Sequence, residues 1–456
     1  MSDDLATVRA RISERTDALR TALTAHLTDG GRLCVIKAPP GSGKTHTLLE
    51  ALMTLLALDA RVAVATQTNA QAEDLCRRLV RDHPGTEVWR WASQKMVAPP
   101  DLPAGIHWGN DVDDLPPESG VVVATTAKWA IRKGKAADLA PFDVLLVDEA
   151  WQMAWAELML LAPVAGRFVL IGDPGQIPPV VTIPTARWET APRPPHRAAP
   201  DVILSDPGLG ALVLGLPSCR RLPCDSVDLV RPFYDFPFDA WAEPGARWLR
   251  AAAGPSQDPL DSVIDHLASA SVAIATLPTP PEGPPLEHDA EVAALAAALA
   301  VRVLERGATA CSGDDGAGEP LGATGIGIAA THRVMNQAIL AALPAHLRGG
   351  HDGVRVDTPE RWQGLQRPFM IVVHPLSGVV RPSTFDLETG RLCVMASRHR
   401  AAMVVVSRDH VPETLEAFIP SAEQSIGRPD LAGRGHAQHQ MFWGAVSDRG
   451  GVFHLG

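Results

Sequence analysis

Residues 38–45 read APPGSGKT and residues 142–150 read FDVLLVDEA. In the first, small residues let backbone N–H groups curl around phosphate oxygens at a helix amino terminus. Pro40, Gly41, Ser42 and Gly43 would form that cradle, with Ala38 in the leading position that glycine commonly takes. Lys44 would reach the β- and γ-phosphates, and the Thr45 hydroxyl would bind magnesium. In the second, an apolar run ends in Asp148 and Glu149, so Asp148 can hold the metal while Glu149 acts as base on an attacking water. Two carboxylates at a strand end are by themselves ordinary solvated groups. Downstream of a phosphate loop they read as the second half of an ATP hydrolase that uses ATP and Mg2+.

Such a site needs strands to end at it and helices to start from it. Val8, Ile12, Leu19, Leu23 and Leu27 recur at helical spacing, and Gly30 and Gly31 supply a stop. A strand at Leu33–Ile36 and a helix at Thr45–Leu58 then flank the glycine-rich turn. Further strands are predicted at Val62–Ala65, Val121–Ala124, Val144–Val147 and Phe168–Ile171, with a helix at Ala70–Val80. Strands alternating with helices imply an α/β fold of parallel sheets with helices on both faces. Residues 83–119, rich in proline and acidic residues and holding Trp89, Trp91 and Trp108, read as a small insertion. Eight prolines within residues 174–200 suggest an extended connection. A second α/β pattern follows, with a helix at Ala290–Glu305 and strands at Ile326–Ala329, Phe369–Val373 and Met403–Val406. The expected organisation is a first ATPase domain over 1–205, a second over 206–419, and a polar tail or loosely docked extension over 420–456.

Composition narrows the class. With 456 residues, two or three domains of roughly 150 residues are expected. Forty-one basic against 52 acidic residues argue against a protein that coats DNA through an overall basic surface. No apolar run approaches the roughly 18 residues of a membrane span, so no membrane association is expected. The amino-terminal stretch mixes both charge signs and lacks an apolar h-region, which makes a secretory signal unexpected and a cytoplasmic location the default. The six cysteines show no C-x-x-C pair, so neither zinc nor a disulfide framework is indicated. His436 and His439 lack partner ligands in sequence and read as part of the tail.

A phosphate loop also serves kinases, GTPases and transporters, so it leaves the function open. The ordered set VAVATQTNAQAEDL, VVVATTAK, DEAWQ, LIGDPGQIPPV, LPSCRRLP, DTPERWQGLQ and RLCVMASRHR resembles superfamily 1 helicases, in particular the group that moves 5′ to 3′. The resemblance runs from about residue 32 to about residue 407. It implies two RecA-like P-loop NTPase domains with ATP in the cleft between them and a single strand across their top. Carried over motif by motif, Gln176 senses the γ-phosphate and couples it to the strand, and Arg220 and Arg398 reach the γ-phosphate from the second domain. Arginines in such roles contribute roughly 10³ to 10⁵ in rate. Gly364, with Gln363, matches the nucleotide-contacting QG pair. Three positions depart from the pattern: Cys219 replaces an aromatic residue, Gln366 replaces a glutamate expected at the sugar, and no glutamine precedes Gln67 to read adenine.

The same resemblance places Thr68 and Asn69, and Thr125 or Thr126, along a sugar–phosphate backbone, where contacts position a strand without reading its sequence. Lys128, followed by Arg132, Lys133 and Lys135, forms the densest basic stretch beside the second of these motifs. Any of the three tryptophans in residues 83–119 could serve as a stacking platform, although tryptophans are more often core. The expected function is therefore an ATP-dependent translocase or helicase on single-stranded nucleic acid, DNA or RNA. The alternative is a nucleotide-gated switch or loader that binds nucleic acid or a protein partner without processive unwinding.

Overall fold

The computed structural model describes residues 5–116, 119–131, 139–252, 258–281, 283, 287–314, 316–349, 352–420 and 431–456. Two compact units divide the chain: residues 6–174 and 178–217 form the first, and residues 175–177 and 218–456 belong to the second.

The first unit begins with α1 (Leu5–Thr28), β1 (Leu33–Lys37), α2 (Lys44–Leu56), β2 (Arg61–Thr66) and α3 (Asn69–Asp82). It continues through β3 (Val88–Trp91), β4 (Ile106–Gly109), β5 (Gly120–Thr125), α4 (Thr126–Ala130) and β6 (Phe142–Val147). It closes with α5 (Trp155–Leu161), β7 (Ala165–Gly172), α6 (Ala199–Leu204) and β8 (Leu212–Gly215). The eight strands lie side by side in the order β4-β3-β5-β2-β6-β7-β1-β8, every pair parallel. Runs such as VAVA, VVVA and VLLV are apolar at every position because such strands are covered on both faces. Their residues alternate between two cores. Val62 and Val64 face Leu23, Leu52 and Leu79 of α1, α2 and α3, while Ala63 and Ala65 face Trp129, Leu158 and Val202 on the other side.

In the second unit β9 (Ser218–Cys219), α7 (Cys224–Val230), β10 (Asp239–Ala240), β11 (Trp248–Arg250), α8 (Pro259–His266) and β12 (Val272–Leu277) come first. Next are α9 (Ala290–Glu305), β13 (Thr309–Cys311), β14 (Glu319–Pro320), β15 (Ile326–Ala329), α10 (Arg333–Ala342) and β16 (Arg355–Asp357). The rest is α11 (Pro359–Trp362), β17 (Arg367–Val373), α12 (Thr389–Ala396), β18 (His399–Arg408), α13 (Val411–Ala417), α14 (Leu431–Ser447) and β19 (Val452–His454). Six of these strands form a parallel sheet in the order β16-β15-β17-β18-β12-β19. Val404 and Val406 point to the α8, α9 and α10 side, and Met403 and Val405 to the α7, α12 and α14 side. Both units thus have the expected RecA-like α/β architecture.

Three expectations change. Residues 83–119 are not an insertion set apart from the sheet: β3 and β4 extend it, with Val88 paired to Val121 and to Ile106. Each strand has only four residues between proline-rich turns, which is why no strand pattern was visible. The limit expected at residue 205 falls instead after Pro217, because β8 pairs with β1, Cys34 against Leu212. The segment after residue 430 is docked: β19 adds to β12, and Phe442, Trp443 and Val446 of α14 enter the core beside Leu392 and Leu415. Residues 421–430 of the expected tail lie outside the described residues.

Three histidines are buried in this unit, two of them where α14 docks. His374, just after β17, lies 3.5 Å from His439 of α14, and His399 meets the Ser226 hydroxyl at 2.6 Å. Burial lowers the pKa of all three, His399 to about 4 and His439 to about 3. A buried neutral histidine must be charged at a cost once pH drops under the unfolded value of about 6.5. Stability is therefore complete above that pH and declines toward pH 3–4, by up to about 1.4 kcal/mol per pH unit for each histidine. The urea midpoint of the second unit is expected to fall between pH 7.5 and pH 5, and His439→Gln should flatten the decline. A midpoint that stays constant over this range would contradict the burial.

Candidate functional site

Six residues separate the end of β1 from the start of α2, and within them the chain must reverse. Gly41 at φ 63° and Gly43 at φ 90° take the left-handed conformation that only glycine adopts at no steric cost. Gly43 is the residue before the helix, and Lys44 and Thr45 open it. The first N–H groups of a helix have no partner within it. Ser42 Oγ is shut from solvent and has no hydrogen-bond partner among the described residues. Free donors and a sequestered hydroxyl at a helix start suit a polyanion.

Asp148 and Glu149 follow β6, two places from β1 in the sheet. Lys44 Nζ lies 2.9 Å from Glu149 Oε2, with both side chains about 15% exposed. Glu149 has φ 52°, unusual for a residue with a side chain, and its N–H donates to Asp148 Oδ1 at 2.9 Å. Burial, and then the Glu149 charge, raise the Asp148 carboxyl above the ordinary carboxylate range, with Lys44 opposing. The Asp148 and Glu149 carboxylates and the Thr45 hydroxyl at the start of α2 are oxygen donors of the kind magnesium takes.

The proposed nucleic-acid residues follow β2 and β5. They share the carboxyl edge of the sheet with the phosphate loop, where open α/β sheets place ligands. Their side chains already have structural work. Thr68 caps α3 in a reciprocal pair with Gln71, and Asn69 Oδ1 accepts from buried Arg90 at 2.6 Å. Thr125 Oγ1 caps α4 by accepting from the Lys128 N–H, and Thr126 is buried with its hydroxyl on the Thr66 carbonyl. Lys128 Nζ donates to the Asn110 carbonyl at 3.0 Å and sits 4.4 Å over the Trp91 ring, where burial lowers its pKa. Arg132, Lys133 and Lys135 lie outside the described residues. Trp91 is core, 2% exposed and edge-on to Trp129; Trp89 stacks on His107 at 4.6 Å. No sequence signal had singled out Arg90, which lies between Trp89 and Trp91 in a strand too short to recognise.

In the second unit, Arg220 lies just past β9, exposed, with its guanidinium 4.0 Å from the Trp241 ring. Arg398 is fully buried between α12 and β18, its Nε donating to the Val394 carbonyl at 3.1 Å. Gln176 and Ile177 pack their backbone on Gly390, where a Cβ would come within 2.7 Å of both. Gln363 Nε2 reaches the Ile177 carbonyl at 3.5 Å, and Gly364 after it is left-handed at φ 77°. The segment carrying Gln176 is thus held by the unit that carries the two arginines and the QG pair.

Residues 16–186 match the family described as an AAA domain. That match covers most of the first unit and includes the phosphate loop. About a third of the chain is similar to helicases. It is 29% identical over 161 residues to human RNA helicase Mov10l1, covering 32% of this chain and 13% of that protein. It is 28% identical over 155 residues to the Arabidopsis thaliana DNA replication ATP-dependent helicase/nuclease JHS1, covering 34% of this chain and 12% of that one. The chain thus spans about one eighth of the length of these curated relatives. Among solved structures, the Arterivirus nonstructural protein 10 helicase aligns over 88% of this chain and 64% of its own, at 14% identity and a TM-score of 0.42. Among the described residues no helix is long and apolar enough to cross a membrane.

Proposed function

We propose that the protein hydrolyses ATP to move along single-stranded nucleic acid, DNA or RNA, in the 5′-to-3′ direction. The observation that carries this reading is the Lys44–Glu149 pair at 2.9 Å, set at the head of α2 on the carboxyl edge of the sheet. In that pair the phosphate-binding cation rests on the candidate base. An incoming γ-phosphate competes for Lys44, and releasing Glu149 lets its carboxylate orient water for attack. Hydrolysis thereby depends on a bound triphosphate. Thr45 and Asp148 would hold Mg2+, which when bound neutralises charge on the β- and γ-phosphates. Arg220 and Arg398 supply positive charge as the γ-phosphate bond breaks. Gln176, held with them, links the phosphate's state to the second unit. Thr68, Asn69, Thr125, Thr126 and Lys128 are proposed to meet the strand at the starts of α3 and α4.

A second reading, a nucleotide-gated switch or loader in the cytoplasm that binds nucleic acid or a protein partner without processive unwinding, is favoured by one observation. Residues 83–119, read from the sequence as an insertion that could have separated strands, instead extend the sheet through β3 and β4.

Steady-state hydrolysis measured alone and with single-stranded DNA, single-stranded RNA and duplex separates the two. Severalfold stimulation by one single strand is the expected result and names the polymer. Strand displacement from a 5′-tailed but not a 3′-tailed substrate is then expected. Hydrolysis indifferent to all three polymers would leave the switch as the better reading.

A further inference from the structure

Arg220 stands on thin support. Strand β9 has two residues, paired only as Ser218 with Asp239 and Cys219 with Ala240, so Arg220 and Arg221 lie beyond the last rung. Backbone carbonyls in such a segment need donors from elsewhere if they are to stay in place. Arg247 provides them. Its Nη2 donates to the Arg220 carbonyl at 2.6 Å, and its Nη1 donates to the Arg221 carbonyl. The Arg247 side chain is 1% exposed.

The local sequence explains how Arg247 reaches this position. It immediately precedes β11, whose Trp248 pairs with Cys311 of β13, so the residues after Cys311 run beside it. Asp314 on that turn accepts from Arg247 Nη2 at 2.7 Å. Arg400, at the start of β18, donates from Nε and Nη2 to the Ser312 carbonyl at 3.0 and 2.8 Å, tying down the same turn. Arg221 in turn donates from Nη1 to the Ser397 carbonyl at 3.1 Å, one residue before Arg398. A continuous set of contacts therefore runs from Asp314 through Arg247 to the Arg220–Arg221 backbone, and from Arg221 to the backbone that carries Arg398.

We infer that Arg247 is a positioning residue for the ATPase: its planar fork sets the Arg220 backbone, and Arg221 keeps that backbone in register with Arg398. This rests on the reading of Arg220 as the group that meets the γ-phosphate. Arg247 acts through its bonds to the Arg220 and Arg221 carbonyls and to Asp314. A guanidinium is needed because one buried fork serves two carbonyls and a carboxylate, which an ammonium on a flexible stem cannot match. Misplacing a catalytic group by about 1 Å can cost about 10²-fold in rate.

The test compares Arg247→Lys, Arg220→Ala and the double variant in the full chain, by steady-state hydrolysis and thermal melting. Arg247→Lys is expected to lower kcat about tenfold or more with KM for ATP within about twofold, because ground-state binding lies with the phosphate loop. In the Arg220→Ala background the same change should add no further loss, a result that a merely structural role would not produce. If Arg220→Ala slows turnover but Arg247→Lys does not, or if the two losses multiply, the positioning role is overturned and the function stands. If Arg220→Ala leaves turnover unchanged, the reading of Arg220 fails and takes this inference with it. Should Arg247→Lys fail to fold, Asp314→Asn carries the same comparison, since the Asp314 side chain is 55% exposed and its loss releases Arg247 without emptying a buried site.

Discussion

Lys44→Ala is expected to abolish hydrolysis, by at least about 10²-fold, while the protein stays folded. The side chain lies at the head of α2 and its recorded partner is Glu149, so it contributes to charge placement and not to the packed core. Truncation leaves two adjacent carboxylates without their cation, a local cost at a partly exposed site. Melting is expected to shift by no more than about 4 °C. Two measurements check this: steady-state ATPase, and a thermal melt of the same sample. Loss of the cooperative melt would show that Lys44 is a structural residue, and the nucleotide reading of the loop would lose its main support.

Arg220→Ala is expected to slow turnover by about 10³-fold or more while nucleotide affinity changes little, because the charge it supplies matters most as the phosphate bond breaks. The side chain is exposed and stacked on Trp241, a contact contributing about 0.5–1 kcal/mol at such a site, so the fold should not notice its loss. Arg398→Ala should slow turnover too. Because Arg398 is completely buried and bonded to Val394, that variant will also lose stability, and its rate must be compared with its melting temperature. Single-turnover hydrolysis with nucleotide binding measured separately checks both variants. Unchanged turnover in folded Arg220→Ala would remove this arginine from the chemistry.

How much of this was readable from the chain depends on how local each feature is. The phosphate cradle is made by eight consecutive residues whose types dictate its turn, and the long apolar strands announce themselves because both of their faces are covered. Strands β3 and β4 do neither. They hold four residues each, and their tryptophans and arginine find packing only once β5 lies beside them. Helix α14 looks polar, with glycines and histidines through its first half. Its burial becomes possible because Gly435 lets Leu387 approach to where a Cβ would sit 2.0 Å from that carbonyl. The residues proposed to meet nucleic acid rest on motifs, yet a motif does not say that Thr68 and Thr125 cap helices.

The sequence by itself determined the alternation of strands and helices, and it put forward the class of chemistry and the phosphate-loop and carboxylate residues proposed to carry it. These are properties of neighbouring side chains and backbone torsions, which a few consecutive residues set. Tertiary structure alone decided that Lys44 and Glu149, 105 residues apart, would meet, through a sheet order that puts β6 two strands from β1. Only there, too, could Arg247 find the carbonyls of Arg220 and Arg221, 27 and 26 residues away. Contacts of that range depend on which strand lies beside which, and that choice is made by burial of the whole chain's apolar surface and by no single motif.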